Sequence, residues 1–172
     1  PTRRSTRLML ITEEGRHSLA PAHYPVITIG HIGVKDSEIQ KYFLSKGHEI
    51  AIHGANHRAP GDVRLIEGIR DVLDCRLEPE EKCDTIIRGM AYPYGTYNDK
   101  VIDVLKNCQM AYARTTISTH YCLFPENWLT LHPTCHHADS RLMELAKLFC
   151  EEKNRHGRAE LFYLWGHSYE FD

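Results

Sequence analysis

A chain of 172 residues has material for one domain around one sizeable core, and the expectation is a single domain over 1–172. Its 42% hydrophobic and 26% charged residues and its net charge of −2 exclude a disordered polymer and a nucleic-acid partner, because phosphate binding requires a basic face. No apolar run approaches the roughly 18 residues of a membrane span, and no apolar leader opens the chain, so the expectation is a cytoplasmic protein as written, or an extracellular one if an N-terminal segment was removed.

Short apolar runs mark strands in chain order: "LMLI" (8–11), "PVITIG" (25–30), "HEIAI" (48–52), "IIRGMA" (86–91), "MAYART" (110–115), "WLTLH" (128–132) and "LFYLWG" (161–166). Helical patterns fall between them. "KDSEIQKYFLSKG" sets Ile39, Phe43 and Leu44 on one face and stops at Gly47, a C-cap glycine. "DVRLIEGIRDVLDCRL" repeats Leu65, Ile66, Ile69, Val72 and Leu73 at helical spacing and is followed by Pro79. "NDKVIDVLKNC" opens on Asn98 as N-cap, and "DSRLMELAKLFCEE" carries Leu142, Leu145, Ala146 and Phe149 as a stripe. Alternating strands and helices predict an α/β fold with a largely parallel sheet, whose ligands bind at the carboxyl ends of the strands.

Six cysteines are scattered without a CxxC pair, so reduced thiols are expected, whereas the 12 histidines are unusual and fall in groups. His53 and His57 come after the third strand at a spacing of four; two imidazoles so placed can share one ion, and a core histidine beside a solvated one is the competing reading. His48, at the start of that strand, reads as structural. In "AYPYGTYN" (91–98), Pro93 and Gly95 bracket Tyr94 in a tight turn able to present its backbone N–H to a ligand. The last strand delivers His167 beside Trp165. "HPTCHHAD" (132–139) gathers His132, Cys135, His136 and His137, where substrate contact by His136 and His137 is preferred over a second metal site. Trp128 and Trp165 read either as core or as a sugar-stacking platform, with Trp165 taken as substrate-binding.

Taken together, these motifs resemble the polysaccharide deacetylases, the NodB-homology or carbohydrate esterase 4 family. "GHEIAIHGANH" resembles the family's metal-binding HxxxH motif, "YPYG" is similar to its RxPxG motif, and "LWGHSYE" to its final motif. "YARTT" (112–116) falls where the family has a strand supporting the active site, and the resemblance extends over residues 25–172. It implies an incomplete or distorted (β/α)7-type barrel. It further implies a divalent metal on His53 and His57, zinc foremost with cobalt or nickel accepted, oxyanion stabilisation by the Tyr94 N–H, and His167 as the proton donor to the leaving amine. The substrate implied is an N-acetylated saccharide or a small amide.

Two departures stand against that pattern. The family's TFDDG motif, which supplies the base and a third metal ligand, is absent; the nearest stretch is "ITEEG" (11–15), where Glu13 or Glu14 would place a carboxylate more than about 1 Å from an aspartate's position. The preferred expectation is that the first motif lies outside this chain or was lost, leaving the barrel without its first strand and an open edge that invites a homodimer. Ala91 stands where the family carries an arginine. A metal-dependent hydrolase of carbon–nitrogen bonds is therefore weighed against an inactive relative that binds sugar or metal, with a purely structural α/β domain ranked last.

Overall fold

The computed structural model describes residues 4–11, 13–14, 17–18, 22–29, 39–41, 43–151, 160–167 and 170, with backbone alone before residue 39. Nine strands and three α-helices of eight residues or more are described: β1 (Arg4–Ile11), β2 (Glu13–Glu14), β3 (His17–Ser18), β4 (Ala22–Ile29), β5 (Glu49–Ile52), α1 (Leu65–Cys83), β6 (Gly89–Ala91), α2 (Asp99–Asn107), β7 (Tyr112–Arg114), β8 (Cys135–His136), α3 (Leu142–Glu151) and β9 (Glu160–Trp165).

The main sheet has seven strands in the order β7-β6-β5-β4-β1-β9-β8. β4 through β7 are parallel, as are β8 and β9, while β1 is antiparallel to both neighbours. Alternation of strand and helix thus produces the parallel sheet expected. Ile50, Ala51 and Ile52 of β5 are all buried, as befits a central strand covered on both faces. The core gathers Ile52, Ile87, Met90, Tyr92, Leu105 and Ala113, and a second cluster places Leu145 and Phe149 of α3 on Phe162 of β9.

Between β4 and β9 the sheet is filled by β1, so the open edge expected from a missing first strand is not there, and with it goes the argument for a homodimer built on that edge. The opposite ends of the order approach each other at Leu131. Its N–H donates to the Ala113 carbonyl (2.9 Å) and its carbonyl accepts from the Thr115 N–H (2.9 Å), while three residues on the Thr134 N–H donates to the Tyr163 carbonyl (2.8 Å).

Several local expectations are corrected. The stretch 128–132 is not a strand: the Asn127 side chain accepts the Leu129 N–H (2.9 Å) and draws Trp128–Thr130 into a 3-10 turn, leaving Leu131 alone to bridge Arg114. The strands at 86–91 and 110–115 contract to three residues each. α1 runs through Pro79 instead of ending before it. Glu80 anchors that last turn, accepting from Arg76 Nε (2.8 Å) and from the Ile87 N–H (2.7 Å), which offsets the hydrogen bond that proline removes. On α1 Val72 is buried, but Leu65 and Ile66 in the first turn are more than half exposed. The α3 stripe and the Asn98 cap stand as expected, with Asn98 Oδ1 accepting the Val101 N–H at 3.0 Å. Gly47, at φ 74°, caps the turn Leu44–Lys46; residues 35–38 and 42 of the helix expected before it lie outside the described residues, as does Gly30.

Candidate functional site

The chemistry-bearing histidines His53, His57, His136, His137 and His167 stand at or after the carboxyl ends of parallel strands. His53 comes directly after β5 and is 3% exposed. Its Nδ1 lies 2.7 Å from the Ala91 carbonyl oxygen at the end of β6, so Nδ1 carries the proton and Nε2 the lone pair. This is the tautomer a metal ligand needs, with a backbone carbonyl as the supporting acceptor.

The chain then turns sharply. Gly54 sits at φ 74°, and a Cβ there would fall inside contact distance of Asp71 Oδ2 on α1, so this position requires glycine twice over. Asp71, 8% exposed, holds the turn from outside: Oδ1 accepts from the Asn56 N–H and from Asn56 Nδ2, both at 2.8 Å, and its backbone carbonyl accepts the Ala55 N–H at 3.2 Å. His57 itself lies at φ 52°, an uncommon conformation for a residue with a Cβ, which brings its ring edge-on to His53 with centroids 4.7 Å apart. The segment 53–57 is therefore not the helical turn that a spacing of four suggests, yet the pair converges all the same.

Tyr94 turns in the left-handed region (φ 57°, ψ 7°) and sets its exposed ring edge-on to His57, centroids 4.6 Å apart. Beneath it, fully buried Tyr92 donates its hydroxyl to the Leu129 carbonyl (2.8 Å), and its N–H donates to the Arg114 carbonyl (2.9 Å). Burial pushes the Tyr92 phenol well above its ordinary value, which keeps it neutral.

A second cluster forms at the ends of β8 and β9. His136 and His137 have ring centroids 4.3 Å apart, and Trp165 presents itself edge-on to His136 (4.6 Å) and to His167 (5.4 Å). Glu170 ties the cluster together. Its Oε2 accepts the His167 N–H (2.7 Å) and lies 3.1 Å from His167 Nδ1, 3.3 Å from His136 Nε2 and 3.5 Å from His137 Nδ1. Burial alone would raise the Glu170 carboxyl, but the His167 N–H and the charges of His167 and His136 outweigh it and the group lies below its ordinary value. Arg114, 3% exposed at the end of β7, donates from Nη1 to the Thr115 carbonyl (3.1 Å) and lays its guanidinium over Trp165, 4.6 Å from the ring centroid. One face of Trp165 is thereby occupied by the protein. Trp128 packs edge-on to Phe124 instead.

His53, His57 and Tyr94 are thus brought together, and so are His136, His137, Trp165 and His167. In β1, Thr6 is level with Trp165 while Leu10 and Ile11 are level with Ala22 and Glu160, the amino ends of β4 and β9. An antiparallel strand runs toward the far end of the sheet, so the backbone of β1 leads away from the histidines toward the amino ends of β4 and β9, which gives no support to Glu13 or Glu14 as replacements for the family's aspartates. Among the described residues no carboxylate completes a metal-type group with His53 and His57. Glu170 and Arg114 were not singled out from the sequence. The one signal for Glu170 was its spacing of three from His167.

A family model described as polysaccharide deacetylase matches residues 20–113, the segment that holds β4, β5, β6 and both His53 and Tyr94. No curated protein matches the chain. Among solved structures, the Streptococcus pyogenes deacetylase PplD in complex with acetate superposes with a TM-score of 0.54 at 16% identity, covering 58% of this chain and 43% of that one. A carbohydrate esterase 4 pseudoenzyme from Bacillus anthracis gives 0.43 at 16% identity, over 55% and 34% of the two chains. The peptidoglycan deacetylase PdaC from Bacillus subtilis gives 0.38 at 22% identity, over 47% and 42%. The chain spans less than half the length of each of these structures, and the first of them establishes a likeness of fold. With its motif histidines at the strand ends and the family model covering more than half of its residues, the chain belongs to the polysaccharide deacetylase family.

Proposed function

We propose that this chain carries part of a metal-dependent amide hydrolase that removes acetyl groups from N-acetylated amino sugars or related amides. The observation that carries the reading is the convergence of His53 and His57, centroids 4.7 Å apart, at the end of β5 beside the Tyr94 turn. His53 suits a divalent ion such as zinc: its Nδ1 is committed to a carbonyl and Nε2 remains the ligand atom. His57 would be the second ligand. When bound, such an ion supplies Lewis acidity toward water and an amide carbonyl. The chain's own groups do the rest. The Tyr94 N–H donates to the developing oxyanion, and His167, oriented through Nδ1 by Glu170, offers Nε2–H to the departing amine. Trp165, His136 and His137 form the wall against which the sugar is bound. The sheet is read as a (β/α)7-type barrel, distorted by the antiparallel β1 and closed where Leu131 bridges β7.

A second reading, an inactive relative that binds sugar or metal, is favoured by one observation: among the described residues no carboxylate completes a metal-type group with His53 and His57. Acetate release from an N-acetylglucosamine oligomer, measured with added zinc or cobalt, separates the two. Release that disappears in His57→Ala supports the hydrolase; no release from a chain that still binds the oligomer supports the inactive relative.

A further inference from the structure

The cluster at the ends of β8 and β9 has a geometry that neither substrate contact nor proton donation requires. We propose that His136, His137 and Glu170 form a second site for a divalent transition-metal cation, zinc foremost, separate from the His53–His57 pair.

Four observations carry it. First, the three donor atoms all lie within 4.8 Å of one another, and Glu170 Oε2 is 3.3 Å from His136 Nε2 and 3.5 Å from His137 Nδ1. Ligands about 2.0–2.2 Å from a tetrahedral zinc are separated by roughly 3.3–3.5 Å, so the two Glu170–histidine distances are compatible with edges of such a shell. Second, adjacent histidines in an extended strand point to opposite faces and cannot share an ion. Here β8 ends at His136 and the chain turns at His137–Ala138, which brings the two rings to 4.3 Å. Third, a Cβ at Gly166 would overlap His137 Nδ1 and its ring, so the glycine at the end of β9 is what admits this ring at the position from which Nδ1 faces Glu170. Fourth, the donors are partly withdrawn from water, the side chains of His136, His137 and Glu170 being 23%, 17% and 27% exposed, with Trp165 walling His136.

The carboxylate is held by groups outside the ligand set: the His167 N–H donates to it, and His167 Nδ1 lies 3.1 Å away. A ligating carboxylate supported in this way is a feature of built metal sites. Two imidazoles and one carboxylate suit zinc, cobalt or nickel, whereas calcium and magnesium prefer oxygen-rich shells. The Ala138 N–H donates to His136 Nδ1 (3.2 Å), so binding a cation through Nε2 moves the ring proton to Nδ1 at the expense of that exposed hydrogen bond.

The test is direct metal binding to the whole chain, so its result is independent of whether the chain deacetylates anything. Zinc binding by equilibrium dialysis and the visible absorption of bound cobalt(II) would be measured in His53→Ala/His57→Ala, and again with His136→Ala or Glu170→Gln added. The double variant is expected to keep about one equivalent of zinc with a cobalt spectrum of tetrahedral type. Glu170→Gln is nearly isosteric and leaves folding intact, and it is expected to weaken that binding about tenfold or more. Gly166→Ala is expected to do the same while the far-ultraviolet circular dichroism is unchanged. Loss of all metal from His53→Ala/His57→Ala, or undiminished metal after His136→Ala and Glu170→Gln, would overturn the proposal.

Discussion

At the residue scale, the shape of the His53–His57 turn depends on a side chain outside the motif. Asp71 accepts two hydrogen bonds from Asn56 and one from Ala55 through its backbone, and it is nearly buried. Asp71→Ala leaves the Asn56 N–H without its partner. The expected cost is about 1–3 kcal/mol in chemical denaturation. His132 illustrates a pH effect. Burial lowers its pKa, and Thr115 Oγ1 lies 2.7 Å from Nδ1. A histidine whose folded pKa is depressed takes up its proton more readily in the unfolded chain. Its contribution is therefore complete above the unfolded value near 6.5 and is lost as pH falls through the folded value. Denaturation midpoints measured from pH 7.5 to 5 should decline, and His132→Gln should flatten that decline.

At the scale of elements, helix ends are set by side chains that read directly from the sequence. Asn98 both caps α2 and reaches across to the Gly61 carbonyl (3.1 Å), joining the cap to the loop after the histidine motif. Asn98→Ala is expected to cost about 1 kcal/mol, measured by thermal or urea unfolding, and Asn98→Asp less, since the aspartate still accepts the Val101 N–H. α1 argues the other way. Its apolar spacing and the proline at position 79 predict a shorter helix with Leu65 and Ile66 inward. The observed helix extends to Cys83 because Glu80 is tied to the Ile87 N–H ahead of β6 and Arg76 to the Cys108 carbonyl, and its first turn lies out at the surface. Those ties reach outside the helix, and local pattern contains no trace of them.

At the scale of the whole molecule, the decisive contact is Leu131. It is the residue where the segment before β8 touches β7 on one side while Thr134 engages β9 on the other. Leu131→Pro removes the N–H that donates to Ala113 and leaves a buried carbonyl unpaired. A loss of about 1–3 kcal/mol is expected, against less than about 1.5 kcal/mol for Leu131→Ile, which keeps the backbone pair and nearly the same volume. Comparing the two by denaturant midpoint isolates the backbone pair from side-chain packing.

The sequence by itself determined local features: the alternation of strands and helices over most of the chain, the Asn98 and Gly47 caps, the α3 stripe and the histidines set at strand ends. These arise from periodicity, capping chemistry and the short reach of turn residues, all of which act within a few positions. The tertiary structure decided the rest. The direction of β1 leads the backbone away from the histidine end of the sheet, because an antiparallel strand runs toward the opposite end of the sheet from its neighbours. The turn after β8 and the glycine at position 166 brought His136 and His137 to Glu170, 33 residues beyond His137. Such meetings are set by register and by the packing of distant elements, and spacing along a chain carries no record of either.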